Sequence, residues 1–491
     1  MKHSFLRLGA GIAALGLFFA LGAEIGRAAT LRVRQDGAGN YATIQSAVNA
    51  MAPGDTVVVG PGLYNERITF PTGKSGSPGR LTTIKAETQR TVDTQGFDTR
   101  NCDYLRIEGF NITRPAGTTG YPNGVGVALR SSHVQVVSNY LHDITWVGMY
   151  GYKGDYVSNN IAGNRMYKVG TGIIIYGSGW IVEANEIERL VYHSSLGDAD
   201  YCLYFGYNHI IRSNWWHGTL PTEIGPSHVD GFQTYDQVGW PAQHIRIEGN
   251  RVDGFYHQGC MMEAPTYTNS YDIVICNNIF RQATTWGVCV TRNIRDVKIY
   301  NNLFIDINSY GVGIRAGASG EVRNNIFYNV SYWDTQTSPA SGSRNLWYRP
   351  GATLAGRFNG DLVNVNPRFV DVAGTDFHLA AGSPAIDAGL GLTGVLADRD
   401  GVSRPQGAGW DIGPYEYVST IAPARLLSPR KLGNDMVFTF VADAGSTYRI
   451  ESSADLAQWT PVKTVTLTSG SLQVTNASSG QRLFYRAVLV P

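Results

Sequence analysis

Three stretches, Ile275–Phe280 (ICNNIF), Ile299–Phe304 (IYNNLF) and Val322–Phe327 (VRNNIF), decide the fold of this chain. Each is a short apolar strand that ends in an asparagine and resumes with an apolar residue. With five earlier copies, the asparagine recurs every 21 to 36 residues, at Asn139, Asn164, Asn185, Asn214, Asn250, Asn278, Asn302 and Asn325. Such a strand repeat predicts a β-solenoid, because stacked turns bury an apolar face that one turn cannot. We expect the asparagines to be scaffold, hydrogen bonding from turn to turn.

The composition excludes some classes of partner. The 491 residues carry a net charge of +1, and only 16% of them are charged. Neither a nucleic acid nor an anionic membrane is therefore expected to bind the chain as a whole. The five cysteines have no metal-ligand spacing, and most are expected to be small buried core residues: Cys102, Cys202, Cys260, Cys276 and Cys289.

The first 29 residues have the pattern of a secretory signal. Lys2, His3 and Arg7 precede an apolar run over residues 8–21, and small residues end at Ala29. That run is short for a membrane span, and no later stretch is long and apolar enough to be one. We expect residues 1–29 to be removed and the mature protein to be secreted, whether periplasmic, extracellular or on the cell surface.

The mature N-terminus is expected to carry a cap. Apolar residues at Ile44, Ala47, Val48 and Met51 follow helical spacing, which predicts a helix from Thr43 to Met51. A solenoid needs such a cap because its open end exposes unpaired backbone and core.

The sequence from 44 to 70, IQSAVNAMAPGDTVVVGPGLYNERITF, followed by SGSPGRLTTIKAE at 75–87, resembles a known family. It is similar to the N-terminal cap and first coil of secreted right-handed parallel β-helix proteins of the pectate-lyase-like and chondroitinase-B-like superfamily. The resemblance extends over about the first 370 residues and implies an all-β, single-stranded parallel β-helix at residues 30–419.

The C-terminal region changes character. The motifs NPRFVD, DFHLAAGSPAIDAG, DRDGVSRP and DIGPYEY, within residues 364–417, resemble a closing module found at the end of such helices. Residues 420–423 are a plausible linker. Alternating apolar residues from Arg425 onward predict a small β-sandwich at 420–491, an accessory domain for binding or attachment.

One strand of each turn can be aligned on its first residue, usually a glycine. Because side chains alternate faces, the third and fifth residues of these strands should point outward. They form an expected sugar-binding surface, since aromatic rings stack on pyranose faces: Tyr150, Tyr152, Tyr176, Tyr204, Gln233 and Tyr235.

Polar residues are densest in three consecutive turns, where the longest gaps between ladder asparagines also occur. Asp200, His228, Asp230 and His257 precede or follow the aligned strands. Loops that extend from a rigid wall commonly carry the site, so we expect these residues to converge. The candidate catalytic set adds the outward charges of the next strands: Glu263, Arg292 and Arg315.

These residue types allow two reactions. Elimination in a uronate polysaccharide needs a base, for which His228 or His257 is suited, and a cation beside the sugar carboxylate. Arg292 and Arg315 would supply that charge, or Ca²⁺ held by Asp200, Asp230 and Glu263. Hydrolysis needs two carboxylates. GDADYC and HVDGFQ faintly resemble, in reversed order, segments of polygalacturonase-like hydrolases, which implies Asp200 and Asp230.

The sequence therefore predicts an enzyme that degrades an extracellular polysaccharide, with a lyase favoured over a glycoside hydrolase. A non-catalytic carbohydrate-binding or adhesion protein is the third possibility. We expect a monomer with no nucleic-acid partner and, apart from Ca²⁺, no cofactor.

Overall fold

A computed structural model describes residues 28–266, 269–332, 340–355, 357–418, 424–442, 446–468, 470–477 and 483–490. The chain forms two compact units, one of Met1–Ile210 with Asn214–Gln233 and one of Ile211–Ser213 with Thr234–Pro491. Residues 1–27 of the predicted signal segment and the predicted linker at 420–423 lie outside the described residues. Within the described residues, no helix is both long and apolar enough to cross a membrane.

Up to residue 234 the described chain forms one helix and twenty strands. They are α1 (Ile44–Ala50), β1 (Thr30–Val33), β2 (Thr56–Val59), β3 (Gly62–Leu63), β4 (Ile68–Thr69), β5 (Thr82–Ala86), β6 (Val92–Thr94), β7 (Phe97–Asp98), β8 (Leu105–Glu108), β9 (Asn111–Ile112), β10 (Val125–Leu129), β11 (Gln135–Val137), β12 (Tyr140–Gly151), β13 (Asn160–Ala162), β14 (Arg165–Ile175), β15 (Ile181–Glu183), β16 (Glu186–Leu190), β17 (Cys202–Tyr204), β18 (Ile210–Arg212), β19 (Trp215–His217) and β20 (Phe232–Thr234).

The rest of the described chain adds twenty-two strands. They are β21 (Gln243–Glu248), β22 (Arg251–Asp253), β23 (Gln258–Met262), β24 (Ser270–Cys276), β25 (Ile279–Ala283), β26 (Trp286–Val290), β27 (Ile294–Tyr300), β28 (Leu303–Ile307), β29 (Val312–Ile314), β30 (Gly320–Arg323), β31 (Ile326–Tyr328), β32 (Ala340–Ser343), β33 (Leu346–Tyr348), β34 (Leu362–Val363), β35 (Phe369–Asp371), β36 (Asp376–Leu379), β37 (Arg425–Leu432), β38 (Asp435–Val441), β39 (Thr447–Ser453), β40 (Thr460–Thr466), β41 (Ser471–Ala477) and β42 (Phe484–Val490).

Parallel pairing of equivalent strands builds the solenoid, which has about twelve turns. In the first unit, the first face runs β1-β2-β5-β8-β11-β13-β15, the second β3-β6-β9-β12-β14-β16-β19 and the third β4-β7-β10-β12-β14-β17-β20. The long strands β12 and β14 bend and serve two faces. In the second unit the same three faces run β21-β24-β27-β30-β32, β22-β25-β28-β31-β33-β34 and β23-β26-β29. The predicted all-β parallel helix is confirmed.

The asparagine ladder stands at the corner between the first and second faces. Asn278 is fully buried, and its Nδ2 donates to Oδ1 of Asn302 at 3.0 Å and to the carbonyl oxygen of Ile247 at 2.9 Å. The residue before each ladder position turns the chain with a positive φ, as at Asn277 (57°). Asparagine tolerates that conformation, which explains the repeated Asn-Asn pairs. Asn345, which the sequence pattern missed, continues the ladder and donates to Asp361.

Replacing Asn278 with alanine is expected to lower the free energy of unfolding by about 2–4 kcal/mol, because several buried donors and acceptors lose partners at once. The main chain and side chain of Asn250 both donate to Oδ1 of Asn278. Chemical denaturation of the variant beside the wild type measures the difference. Asn329→Gly, which removes an exposed asparagine side chain bonded to Asp306 where the φ of 53° suits glycine, is the control and should cost under about 1 kcal/mol. Equal losses in both variants would contradict the scaffold role.

The predicted capping helix is present as α1. Thr43 is its N-cap, and the Thr43 side chain accepts from the main-chain N–H of Ser46. The carboxylate of Glu66 accepts from the N–H groups of Ile44 and Gln45, both at 2.9 Å. Ile44, Ala47 and Val48 are buried. One face of α1 therefore covers the first strands of the solenoid, as the helical spacing predicted.

The predicted closing module packs along the second face of the second unit. Phe377, Leu379 and Ile412 share one apolar cluster with Ile305 and Ile326. The asparagines with positive φ bind this module through hydrogen bonds from their Nδ2 atoms to main-chain carbonyl oxygens. Asn277 donates to Ala397 at 2.9 Å, Asn301 to Asp411 at 3.0 Å and Asn324 to Leu390 at 2.8 Å. These asparagines, which precede the ladder positions, therefore have a docking role of their own.

The last six strands form two three-stranded antiparallel sheets, β37-β38-β41 and β40-β39-β42. Phe438, Phe440 and Val474 from the first sheet pack with Tyr448 and Ile450 from the second. This is the arrangement that strand alternation predicted for the C-terminal region. All five cysteines are buried, as expected of core residues.

Candidate functional site

Strand register on the third face of the second unit decides which side chains reach the surface. Cys260 pairs with Val288, which pairs with Val312 in the next turn, and all three are buried. The alternate positions point outward and give the row Met261, Cys289 and Gly313. The residue that follows each strand by one position continues the outward pattern, which places Glu263, Thr291 and Arg315 in a second row.

A groove of about 540 Å³ opens over these rows. We call it the Trp286 groove. Its lining mixes charged, polar and apolar residues: Gln258, Met261, Glu263, Pro265, Trp286, Cys289, Thr291, Arg292, Arg315 and Ala316. The structure thus brings together three of the predicted catalytic residues: Glu263, Arg292 and Arg315.

The indole of Trp286 is part of the groove lining. The Arg315 guanidinium lies over it at 4.5 Å from the ring centroid, and the Tyr310 ring stacks on it at 4.4 Å. Gly313 makes room for it, since a Cβ there would lie 1.9 Å from an indole carbon. Stacking on Trp286 therefore restrains the position of the Arg315 guanidinium.

Charge in the Trp286 groove is arranged across two turns. Glu263 and Arg315 occupy equivalent positions two turns apart, or about 10 Å along the solenoid. Thr291 lies between them, and Arg292 is exposed beside it. One carboxylate and two guanidiniums can hold an anionic sugar between a base and a charge-neutralising group.

Asp200 and Asp230 do not lie in an open trough, as the sequence analysis expected. Both are 1% exposed, and the main-chain N–H of Asp230 donates to Oδ1 of Asp200 at 2.9 Å. Burial raises the pKa of Asp200 well above its usual range, and the charges of Asp230 and Asp198 raise it further. A polysaccharide cannot reach side chains enclosed in this way, so the geometry favours a structural role.

The Asp200→Asn variant is expected to change the pH dependence of stability. A raised folded pKa means that the folded protein keeps a proton that the unfolded chain releases above about pH 4. Stability then falls as pH rises from there to the folded pKa, by up to about 1.4 kcal/mol per pH unit. Melting temperatures at pH 5 and pH 8 should therefore differ more in the wild type than in the variant. Equal differences, or loss of all turnover in the variant, would contradict a structural role.

The predicted convergence of the histidines with Asp200 and Asp230 stays a prediction. His228 belongs to the first unit and is exposed between the buried residues Ser227 and Val229. His257 belongs to the second unit, is half-buried, and directly precedes Gln258 in the lining of the Trp286 groove. Of the two, only His257 lies close in sequence to that groove.

Two of the predicted sugar-binding tyrosines are misplaced. Tyr204 pairs in register with Ile175, an inward residue, and is fully buried; the alignment was wrong by one residue in this turn. Tyr176 is only 3% exposed because the Phe205 ring stacks on it at 4.7 Å. The other four reach the surface at least in part: Tyr150, Tyr152, Gln233 and Tyr235.

A different set of residues has the spacing of metal ligands. Ligand atoms of Glu186, Glu188 and His217 lie within 4.8 Å of one another in the first unit. Arg165 already approaches both carboxylates, at 3.5 Å for Glu186 and 2.8 Å for Glu188, so an ion would have to displace it. Calcium bound by Asp200, Asp230 and Glu263 stays a prediction.

Trp286 and Thr291 are groove residues that the sequence analysis did not select. Thr291 was already the fifth residue of an aligned strand and was passed over because it carries no charge. Trp286 precedes the aligned glycine, so the alternation rule did not reach it. A glycine inside a strand, as at Gly313, indicates the close approach of another group and was the signal available in the sequence.

Comparison with known proteins gives likeness in structure only. No family model and no curated sequence matches the chain. The PL6 family alginate lyase AlyGC is 14% identical with a TM-score of 0.45, and the match covers 68% of this chain and 55% of that one. A PL6 family polysaccharide lyase from Pseudopedobacter saltans is 12% identical, with a TM-score of 0.43, over 66% of this chain and 93% of that one. The tailspike protein of E. coli bacteriophage HK620 is 14% identical, with a TM-score of 0.46, over 94% and 92%.

The chain therefore spans about half the length of AlyGC, at 55%. Strand pairing within the chain defines the class of protein, which is an all-β parallel β-helix protein with small antiparallel sheets at its C-terminus.

Proposed function

We propose that this protein is a secreted polysaccharide lyase that cleaves a uronate-containing chain by β-elimination in the Trp286 groove. One observation supports the proposal above all: two guanidiniums and one carboxylate line an open groove of about 540 Å³ that also contains an indole. Because only 16% of all residues are charged, such a local grouping is an informative signal.

The chemistry follows from the residues. Arg315 and Arg292 would bind the uronate carboxylate and neutralise it, which makes the neighbouring C5 proton more acidic. A base, Glu263 or His257, would take that proton. The electron pair would form the C4–C5 double bond as the C4–O bond breaks, and the departing oxygen would take a proton from water or an acid group.

Hydrolysis is the less favoured reaction. Inverting and retaining hydrolases alike use a pair of carboxyl groups flanking the scissile bond. Among the described lining residues of the Trp286 groove, Glu263 is the one carboxylate. The second pair of carboxylates, Asp200 and Asp230, is buried, with each residue only 1% exposed.

A panel of acidic and neutral polysaccharides, with Ca²⁺ or with a chelator, tests the proposal. Ultraviolet absorbance from a new C4–C5 double bond is expected with at least one uronate polymer and with no neutral one. New reducing ends without that absorbance would mean a hydrolase. Binding without cleavage across the panel would favour the carbohydrate-binding alternative. Loss of turnover with the chelator alone would support the predicted calcium.

A further inference from the structure

A second groove, of about 650 Å³, lies on the first unit at the ends of the third-face strands. We call it the Arg100 groove. Its lining includes Gln45, Asn49, Thr69, Arg100, Asn101 and Arg130. None of them belongs to the proposed elimination chemistry.

Positive charge exceeds negative charge beside this groove. Asp98 is 1% exposed, and its Oδ2 lies 3.3 Å from Nε of Arg100 and 3.6 Å from an Nη of Arg130. Arg67 is close enough to Asp98 and Arg100 for their charges to act on it, and Arg114 lies close to Arg67. Burial first, and then the charge of Arg114, lowers the pKa of Arg67 to about 10. Asp98 is thus approached by three guanidiniums, those of Arg67, Arg100 and Arg130, which leaves a capacity to bind anions.

Some donors beside the groove are not used within the protein. Nε of Arg114 and Nε of Arg130 are buried and have no hydrogen-bond partner within the described part of the chain. The hydroxyl of Tyr121 is also buried and has no hydrogen-bond partner among the described residues. Arg114 as a whole is only 9% exposed. Buried donors without partners are costly, so their presence in a positively charged region points to a ligand.

The groove is pre-organised by aromatic and amide side chains. The Arg130 guanidinium lies 5.3 Å from the Tyr121 ring centroid and 5.7 Å from that of Tyr152, which is 39% exposed. Gln45 bonds Asn49 and also both the N–H and the carbonyl of Thr69. Amides and exposed aromatic rings suit sugar hydroxyls and ring faces better than they suit a bare inorganic anion.

We propose that the Arg100 groove is a non-catalytic binding site for the carboxylate groups of an acidic sugar chain. Arg100 and Arg130 bind the carboxylate, and Tyr152 offers its ring to a neighbouring sugar. This inference rests on the proposed function only in the choice of a uronate as the ligand. Its role is to retain a polymer on the protein, so it should affect long chains more than short ones.

The test uses the double variant Arg100→Asn/Arg130→Gln of the full chain. Arg100 has a positive φ of 41°, which asparagine tolerates, so the backbone is not strained by the change. The matched control, Lys431→Gln/Lys463→Gln, removes the same charge from exposed positions of β37 and β40. Both are made in an Arg315→Ala background, which weakens the Trp286 groove, and matching melting temperatures verify folding.

Calorimetric titration with defined oligouronates measures binding. The Arg100/Arg130 variant should lose affinity at least tenfold, and the lysine control should bind like its parent. Equal affinity in all three proteins, or no binding by the parent, would overturn the inference.

The experiment also separates this inference from the proposed function. If the wild type never cleaves a uronate polymer but the Arg100/Arg130 variant loses binding, the proposed function fails and the groove stands. If the wild type cleaves a uronate polymer while the Arg100/Arg130 variant binds like its parent, the proposed function stands and the Arg100 groove is not a binding site.

Discussion

Arg315→Ala is expected to lower kcat/KM on a uronate polysaccharide by at least about 100-fold, because one charged group that stabilises developing negative charge is typically worth that much. The guanidinium is restrained by stacking at 4.5 Å over Trp286, so it acts without first losing much conformational freedom. The rate of ultraviolet absorbance increase on the best polymer of the panel measures the effect. Folding should be little affected, since Arg315 lies at the surface of the groove.

Arg315→Lys is the matched control. Lysine keeps the charge but lacks the planar group that stacks on an indole and binds a carboxylate through two N–H groups. Its activity should therefore fall between those of the wild type and of Arg315→Ala. If Arg315→Ala keeps activity within about threefold of the wild type, the Trp286 groove is not the catalytic site.

The second large effect concerns stability. Arg404→Met is expected to lower the free energy of unfolding by about 3–5 kcal/mol, because it leaves a buried carboxylate without its counter-ion. The Arg404 and Glu416 side chains are 0% and 1% exposed and lie 2.6 Å apart. Arg404 also donates to Oδ1 of Asn277 at 3.2 Å, which ties the closing module to the solenoid, and to the carbonyl of Gly413 within the module at 2.9 Å. Chemical denaturation measures the loss, and amide hydrogen exchange at residues 411–417 locates it.

The double variant Arg404→Met/Glu416→Gln tests the reason for that loss. The amide that replaces the Glu416 carboxylate would carry no charge, yet its oxygen could still accept a hydrogen bond from a neighbouring main-chain N–H. The Glu416 carboxylate now accepts from the N–H groups of Gln406 and Asp411, at 3.0 and 2.9 Å. Stability should be partly restored relative to Arg404→Met alone. A single variant within about 1 kcal/mol of the wild type would mean that the buried pair does not hold the module.

Much of the fold was predictable from the sequence because the solenoid repeats its local chemistry in every turn. The ladder position of Asn278 and the inward residues Cys260, Val288 and Val312 follow from alternation alone. The docking of the closing module was not predictable, since the bond from Asn277 to Ala397 joins residues 120 positions apart. An Asn-Asn pair indicates the turn, but not which distant carbonyl its amide will meet.

The site was predictable only where the repeat is regular. Glu263, Arg292 and Arg315 follow evenly spaced strands, and the structure brings them together. Asp200 and Asp230 follow the long excursions, where the alignment is also wrong by one residue at Tyr204. A polar residue in a loop gives the same sequence pattern whether its side chain faces water or is buried, so the burial of both aspartates could not be deduced from the sequence.

The central claim is that the Trp286 groove breaks a sugar chain without adding water. Cleaving the best uronate polymer of the panel in water enriched in heavy oxygen, and weighing the fragments by mass spectrometry, tests it directly. One fragment of each pair is expected to be lighter than a hydrolysis product by one water, and heavy oxygen should enter the other no faster than it exchanges into the reducing end of an added oligouronate. Fragment pairs that both have the full mass of hydrolysis products, with heavy oxygen incorporated faster than in that control, would contradict elimination.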